Sequence, residues 1–494
     1  MMTYRRYHPL TILFSIAGFL KNFGIIIVIM MLNIQSDSWL NRISRWLMLA
    51  ALAATVISSI LKWFTHRYAA DTDAFRLEEG LFEKTERTVD YSRIQNIHRH
   101  RSLLHKLFGV TSVTFETGTS GMNASVKFDV LAPTEADKLE AAVHAVHHPV
   151  AVESGASDEE GSGPAAPADR TVHFTPTRKD TVKAAFTSFS FLVLIAAAAS
   201  ILSKLDSIFS VDDYLKGRFS GLLTNGWVVA AAVILLVLLS VIAGLVWTFL
   251  KYGSYEIASD NERIFIRKGT VDETAFTIAK GRVQGVEITQ SFMKRMLGLA
   301  EVKLISAGDL GDEEHEVSTL YPFLPVERAH TMIHELLPQF KVLGGMHRLP
   351  IKSLAVRLMK PYWVWLIVTA ALVYFRPSIF GLTLGWLLVA FVLLLLTAAG
   401  RAAGYWNTQY AMDGVYIQLS EGVFEKTTFL TRREKIIEAS VKRTKLQQMT
   451  GLATIRFINR AHPVRHADLP DVPLQEALAF LRWYYGRQED VQNR

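Results

Sequence analysis

Two runs in this chain, Trp227 to Leu250 and Pro377 to Gly400, each hold 24 residues without a formal charge. A helix of about 20 apolar residues crosses the hydrocarbon core of a bilayer. Both runs therefore read as transmembrane helices, and every polar segment has to fold outside the lipid. Ala184 to Ser203 adds twenty uncharged residues, and in Leu10 to Ile34 Lys21 is the single charge. Two weaker segments are Trp46 to Phe64, with Lys62 near its end, and Pro361 to Phe375, which stops at Arg376. Long basic side chains near a helix end can reach the headgroups. The reading is six transmembrane helices in three hairpins: 10–34 with 46–64, 184–203 with 227–250, and 361–375 with 379–400.

Composition agrees. Half of the residues are hydrophobic and 20% are charged, and the mean hydropathy is +0.21, which excludes a disordered chain. The net charge of +7 suits an anionic membrane surface. With no cysteine, disulfide frameworks, thiolate metal sites and thiol nucleophiles are excluded.

A polar stretch follows each hairpin, and an even number of crossings puts all three stretches and both termini on one side. The loops inside the hairpins carry few cations, whereas Arg5, Arg67, Lys179, Lys251, Lys360 and Arg401 flank the spans on the other side. Cytoplasmic flanks are enriched in Lys and Arg. A multi-pass protein of the cytoplasmic membrane is expected, with N-terminus, C-terminus and polar stretches in the cytoplasm. A cleaved signal peptide at the first span is the competing reading, but Lys21 breaks the run and no small-residue cleavage pattern follows.

The polar stretches repeat one pattern. Gly80 and Gly109, Gly269 and Gly298, and Gly422 and Gly451 are each 29 residues apart. Thirteen residues after the first glycine stands Arg93, Arg282 or Lys435, followed by Ile or Val. Gln95 and Gln284 come next in the first two copies, where the third has Ile437. A tyrosine (Tyr68, Tyr255, Tyr410) precedes each opening glycine, and a proline (Pro133, Pro325, Pro473) opens a helical pattern after the second. Alternation at Val110 to Thr117 and Ala124 to Val130, with turn signals between, predicts small antiparallel β modules closed by one helix.

Strand, turn, glycine, an Arg-Ile-Gln step, a run ending in Leu-Gly-Leu or its like, more strands and a Pro-led helix resemble the bacterial pleckstrin-homology-like membrane proteins of the YdbS/YdbT type. Three hairpin-plus-module units resemble the longer, three-module, YdbT-like kind. The resemblance implies an α+β membrane protein in which each hairpin precedes a small PH-like β-barrel or sandwich with a C-terminal helix. It also implies a possible partner, a shorter one-module membrane relative, and an output in envelope stress or bacteriocin tolerance. The expected organisation is hairpin 1 in 1–66, module 1 in 67–149, a flexible acidic linker in 150–170, hairpin 2 in 171–252, module 2 in 253–341, hairpin 3 in 342–403 and module 3 in 404–494.

No nucleophile motif, phosphate loop or dinucleotide fingerprint occurs, so a non-enzymatic scaffold without cofactor or metal is expected. The expected partners are the lipid bilayer and proteins, with an oligomer among the expectations and nucleic acid not. Binding candidates are the repeat-equivalent Arg93, Arg282 and Lys435 with Gln95 and Gln284. Against them stands a structural reading, in which each cation covers a barrel edge or pairs with a carboxylate. The first-strand turns, where phosphoinositide-binding PH folds place cations, hold Asp71, Asp73, Asp260, Glu262 and Asp413 instead, which disfavours specific phosphate binding. His98, His100 and His105 lack acidic or cysteine partners at ligand spacing and read as a basic face. A transporter component is the alternative function, and it requires a polar cavity lined by Lys21, Asn22, Ser188 and Ser190.

Overall fold

The computed structural model describes residues 4–32, 39–80, 84–117, 125–147, 170–177, 179–180, 182–183, 226–306, 319–377, 384–461 and 464–487. The predicted span 184–203 and nearly all of the linker 150–170 lie outside these residues.

In every copy a short strand stands before the membrane segment and pairs with the strand that follows it. In copy one β1 (Arg5–Arg6) is followed by α1 (Thr11–Leu32), α2 (Trp39–Thr65) and β2 (Arg67–Ala70). Arg5 lies opposite Tyr68 and Arg6 opposite Arg67. The sheet grows through β3 (Ala74–Glu79) and β4 (Thr85–Asp90). A 3-10 turn, Tyr91–Arg93, then crosses to β5 (Ile94–Arg101). After α3 (Leu103–Leu107) come β6 (Thr111–Thr117), β7 (Ser125–Leu131) and the Pro-led α4 (Pro133–His147). Phe75 and Tyr91 from the first half and Phe115 and Phe128 from the second are fully buried in one core with Leu139 and Val143 of α4. Each such ring cut to alanine would cost about 3–5 kcal/mol.

Copy two contributes β8 (Thr171–Phe174), α5 (Gly226–Tyr252), β9 (Tyr255–Ser259), β10 (Arg263–Lys268) and β11 (Glu273–Ala279). It continues with β12 (Val283–Gln290), α6 (Phe292–Met296), β13 (Leu299–Ser306), β14 (Thr319–Pro325) and α7 (Val326–Leu336). Copy three has β15 (His347–Arg348), α8 (Ile351–Met359), α9 (Trp363–Phe375), α10 (Gly385–Asn407), β16 (Gln409–Asp413), β17 (Tyr416–Glu421) and β18 (Lys426–Arg432). It ends with β19 (Ile436–Lys442), α11 (Lys445–Thr450), β20 (Leu452–Asn459), β21 (Arg465–Pro473) and α12 (Leu474–Tyr485). Its strands and α12 enclose a second core around Phe429, Phe457 and Phe480.

The sheets do not stop where the copies stop. One seven-stranded sheet runs β7-β6-β5-β11-β10-β9-β8 and another β14-β13-β12-β18-β17-β16-β15, so the second half of one copy is continuous with the first half of the next. Both junctions use one register. Glu273 faces Arg101 and Phe276 faces His98, while the repeat-equivalent Lys426 faces Gln290 and Phe429 faces Glu287. The chain divides into two compact units, Met1–Ile278 and Ala279–Arg494, and each unit holds one of these seven-stranded sheets.

Among the described residues, Arg42–Thr65 of α2, Ile351–Phe375 spanning α8 and α9, and Gly385–Asn407 are long and apolar enough to cross a membrane. Shorter apolar stretches occupy Thr11–Gly24 of α1 and Val241–Tyr252 of α5. The span expected at Trp46 to Phe64 lies within the longer helix α2, which begins at Trp39 and takes in Arg42 and Arg45. The span expected from Pro361 is preceded by a separate helix, α8. Proline at 361 lacks the amide needed to continue that helix, and Arg357 of α8 pairs with Asp471 of β21 at 3.3 Å.

Candidate membrane-surface interaction site

The run that ends in the second glycine of each copy folds as a short helix: α3, α6 and α11. Ser102, Ser291 and Thr444 occupy the N-cap positions. Gly109, Gly298 and Gly451 follow in the left-handed region at φ 63°, 65° and 73°. One polar side chain at the same position of each helix turns inward and ties it to the β fold. His105 bonds the Asp129 carbonyl at 3.0 Å. Lys294 pairs with Glu301 at 2.7 Å. Gln447 donates to Asp471 at 2.8 Å. With that side chain inward, the apolar ones point out: Leu107 is 76% exposed, Met296 68% and Met449 84%.

Two of these helices, α3 and α6, meet the ends of long apolar helices. In the first unit Phe14, in the first turn of α1, lies 4.1 Å from the His105 ring. Lys106 of α3 donates to the Thr270 carbonyl at 2.7 Å and pairs with Glu273 at 2.9 Å. The backbone of Leu103 donates to Asp272 at 3.2 Å. Those three partners form the β10–β11 hairpin tip of the next copy. The same tip is bonded to the end of α5, with Thr270 N donating to Leu250 O at 3.1 Å and Gly269 N to Ser254 O at 2.8 Å.

The second unit repeats this joint. Arg295 of α6 donates to Asn407, the last residue of α10, at 3.2 Å. Asn407 donates to the carbonyls of Gly422 and Val423 at 3.0 and 3.2 Å, in the β17–β18 hairpin tip. Phe424 at that tip is 82% exposed. Each joint therefore gathers a membrane-helix end, a hairpin tip of the same copy and the short helix of the preceding copy. Around its exposed apolar groups stand cations, Lys106 and Lys251 in one unit and Arg295 and Lys426 in the other. Burial, and next the charge of Arg295, pushes the Lys426 amine down.

A buried network fixes α8 to β21 in copy three. Asp471 is fully buried, and its carboxylate takes Arg357 at 3.3 Å and Lys360 at 3.2 Å. Ser353 of α8 donates to the Asp471 carbonyl. In copy one the tether is different: Glu135 of α4 accepts from Tyr68 at 2.7 Å and pairs with Arg5 at 3.0 Å, and Trp63 of α2 donates to the Tyr7 carbonyl at 2.9 Å.

Burial pushes the His105 imidazole below its ordinary value of 6.5, against the opposing pull of the Asp129 carbonyl. The unfolded state then binds the proton more readily than the folded one. The contribution of neutral His105 is whole above about pH 6.5 and is lost as pH falls from there through the lowered folded value. In detergent, wild type is expected to lose thermal stability relative to His105→Gln between pH 8 and pH 5. A difference between the two proteins that stays constant over this range would refute the assignment.

The repeat-equivalent cations sit elsewhere, on the 3-10 turns that carry each copy from its first half to its second. Arg93 is largely exposed and lies 3.5 Å from Asp90. Burial, and then the nearby Arg460, pushes the Arg282 guanidinium down. Lys435 donates to the Gly281 carbonyl at 3.1 Å. Gln284 is buried and donates to the Arg282 carbonyl at 3.0 Å, and its own carbonyl accepts from Thr431 at 2.7 Å. Gln95 lies in β5, and its side chain is outside the described residues. Arg282 and Lys435 thus meet at adjacent turns in the second unit, while Arg93 belongs to the first. The acidic first-strand turns close hairpins: Asp260 Oδ1 accepts from the amides of Glu262 and Arg263 at 2.8 and 2.6 Å. His98 pairs with Glu116 at 2.9 Å and His100 bonds Thr274 at 3.2 Å. Lys21 and Asn22 are exposed on α1, and Ser188 and Ser190 lie outside the described residues.

The family description Bacterial PH domain matches three segments, residues 12–146, 191–339 and 363–488. The chain belongs to the bacterial PH domain family. The three matches coincide with the three copies found by glycine spacing, and each takes in the membrane segment as well as its PH module. The chain is 23% identical over 449 residues to the UPF0699 transmembrane protein YdbT of Bacillus subtilis (strain 168), covering 88% of each. No solved structure matches it. It is a membrane protein with PH modules, of the YdbT-like kind.

Proposed function

We propose that the protein is a non-catalytic scaffold of the cytoplasmic membrane whose three PH modules lie on the inner leaflet and grip it directly. Six spans in three hairpins hold them there. The pairing of β1 with β2, β8 with β9 and β15 with β16 supports the hairpin count, because a chain that leaves and regains one sheet must recross the bilayer. For the second membrane segment, whose described helix is α5, the same pairing calls for a return crossing. Basic flanks such as Arg67, Lys251 and Arg401 support the cytoplasmic orientation.

The observation that carries the leaflet contact is the repeated joint. Exposed Leu107, Met296 and Phe424 stand on elements bonded to or packed against membrane-helix ends, with Lys and Arg beside them. Apolar side chains at that level gain by entering the acyl boundary, while the cations face anionic headgroups.

Because the chain has no cysteine, single labels at Leu107→Cys, Met296→Cys and Met449→Cys report each short helix separately. In nanodiscs containing anionic lipid, nitroxides at these positions are expected to collide more with dissolved oxygen than with a water-soluble nickel chelate. Lys127→Cys, on an exposed strand position, should show the reverse. Equal chelate accessibility at all four positions would overturn the proposal.

A further inference from the structure

Among the described residues the repeat leaves two strand edges over. In copies two and three the last strand of the first half, β11 or β18, is covered on its outer edge by the β5 or β12 strand of the copy before. In copy one β4 pairs with β3 alone among the described residues. Correspondingly β5 and β12 are each covered by the following copy, whereas β19 pairs with β20 alone among them. One edge is of the accepting kind and the other of the donating kind. An uncovered strand edge is a row of unpaired amides and carbonyls that readily pairs with another chain.

We propose that β4 of one copy of the protein pairs antiparallel with β19 of a second copy, repeating between molecules the junction used twice within the chain. The occupant is a second copy because this chain itself carries both complementary edges. The inference deepens the scaffold reading and rests on it only for a shared membrane plane, which would align the two edges. Such a contact is heterologous, so it generates an open array or a ring on the membrane rather than a closed two-fold dimer.

The register follows from the two internal junctions. There Thr274 faces His100 and Thr427 faces Thr289. Ala275 faces Arg99 and Thr428 faces Ile288. The repeat equivalents are Thr85 facing Lys442 and Glu86 facing Val441. Lys84 then faces Arg443 where the first junction sets Glu273 against Arg101, and Glu86 lies diagonal to Arg443, within reach of a cross-strand ion pair. At the far end of β19 the Ile437 carbonyl takes the Tyr484 hydroxyl of α12 at 2.8 Å, in the place where Gln284 takes Thr431.

Disulfide formation tests this with the full chain in native membranes. Directly opposed residues of an antiparallel pair have Cα atoms about 4.5–5.5 Å apart, within disulfide range. Thr85→Cys and Lys442→Cys are placed in separate, differently tagged copies, and His100→Cys with Thr274→Cys in one chain serves as the internal standard. Co-expression of the first two under mild oxidation should give a mixed-tag dimer, and about tenfold less should form from the slipped pair Glu86→Cys with Lys442→Cys, whose side chains leave opposite faces. Lys84→Glu, which removes a like-charge pair, should raise the yield. If the internal standard closes while the mixed dimer does not form, or forms equally from the slipped pair, the proposal is overturned. That result leaves the labelling test of leaflet contact untouched, so the two readings fail separately.

Discussion

Asp471→Ala is expected to destabilise the second unit by about 3–5 kcal/mol, the usual cost of removing one member of a buried ion pair and leaving the other uncompensated. Arg357 and Lys360 would lose their carboxylate together, Gln447 would lose its acceptor, and α8 and α11 would be released from β21 at once. Backbone geometry adds to the cost. Asp471 sits at φ 65°, a left-handed conformation that Asp and Asn tolerate better than alanine. Asp471→Asn keeps the conformation and one acceptor oxygen, and Asp471→Gly relieves the conformation without restoring the acceptor. The expected order of stability in detergent denaturation is wild type, then Asn, then Gly and Ala below both. An Asn variant as unstable as the Ala variant would mean that charge alone holds the joint. A Gly variant matching wild type would mean that the carboxylate contributes nothing.

The second large effect belongs to the opening glycine of the third copy. Gly422 has φ 120°, and a Cβ there would lie 1.7 Å from the Glu425 carbonyl oxygen. Gly422→Ala therefore cannot be absorbed by a side-chain shift, and a loss of about 3 kcal/mol is expected. Gly451→Ala is the contrast. Its φ is 73° with nothing within 4 Å of the added carbon, so the left-handed penalty of about 1–2 kcal/mol stands alone. The Gly422 change should also move the β17–β18 tip away from Asn407. A nitroxide at Phe424→Cys would then lose oxygen collisions in nanodiscs when Gly422→Ala is added, but not when Gly451→Ala is added. Equal stability losses for the two alanines would refute the steric argument.

The 29-residue glycine spacing was legible because glycine is the residue that supplies both unusual backbone conformations, and each opening and closing glycine has a positive φ. The repeated cation was legible too, and in each copy it stands on the 3-10 turn between the two halves of the copy. The inward-turned position of the short helices escaped notice because its residue type changes. His105, Lys294 and Gln447 share burial and a tethering role, not a chemistry that a spacing search detects. Glycine and proline positions and uncharged runs are signals carried by one residue type. A tether satisfied by a carbonyl in one copy, a glutamate in the next and an aspartate in the third is carried only by geometry.

From residues alone came the long uncharged runs, the triplication and the strand-rich modules with their Pro-led helices, and the resemblance those residues carry led to the bacterial PH family. Hydrophobic transfer and backbone restriction act locally and leave a periodic trace. Tertiary structure decided which strands meet. Nothing in the side chains of β5 or β11 announces that they pair across two copies, because the bonds that join them belong to the backbone and are the same for every sequence. Only the folded chain shows that two seven-stranded sheets are each completed by the neighbouring copy, and that β4 and β19 have one strand neighbour each among the described residues.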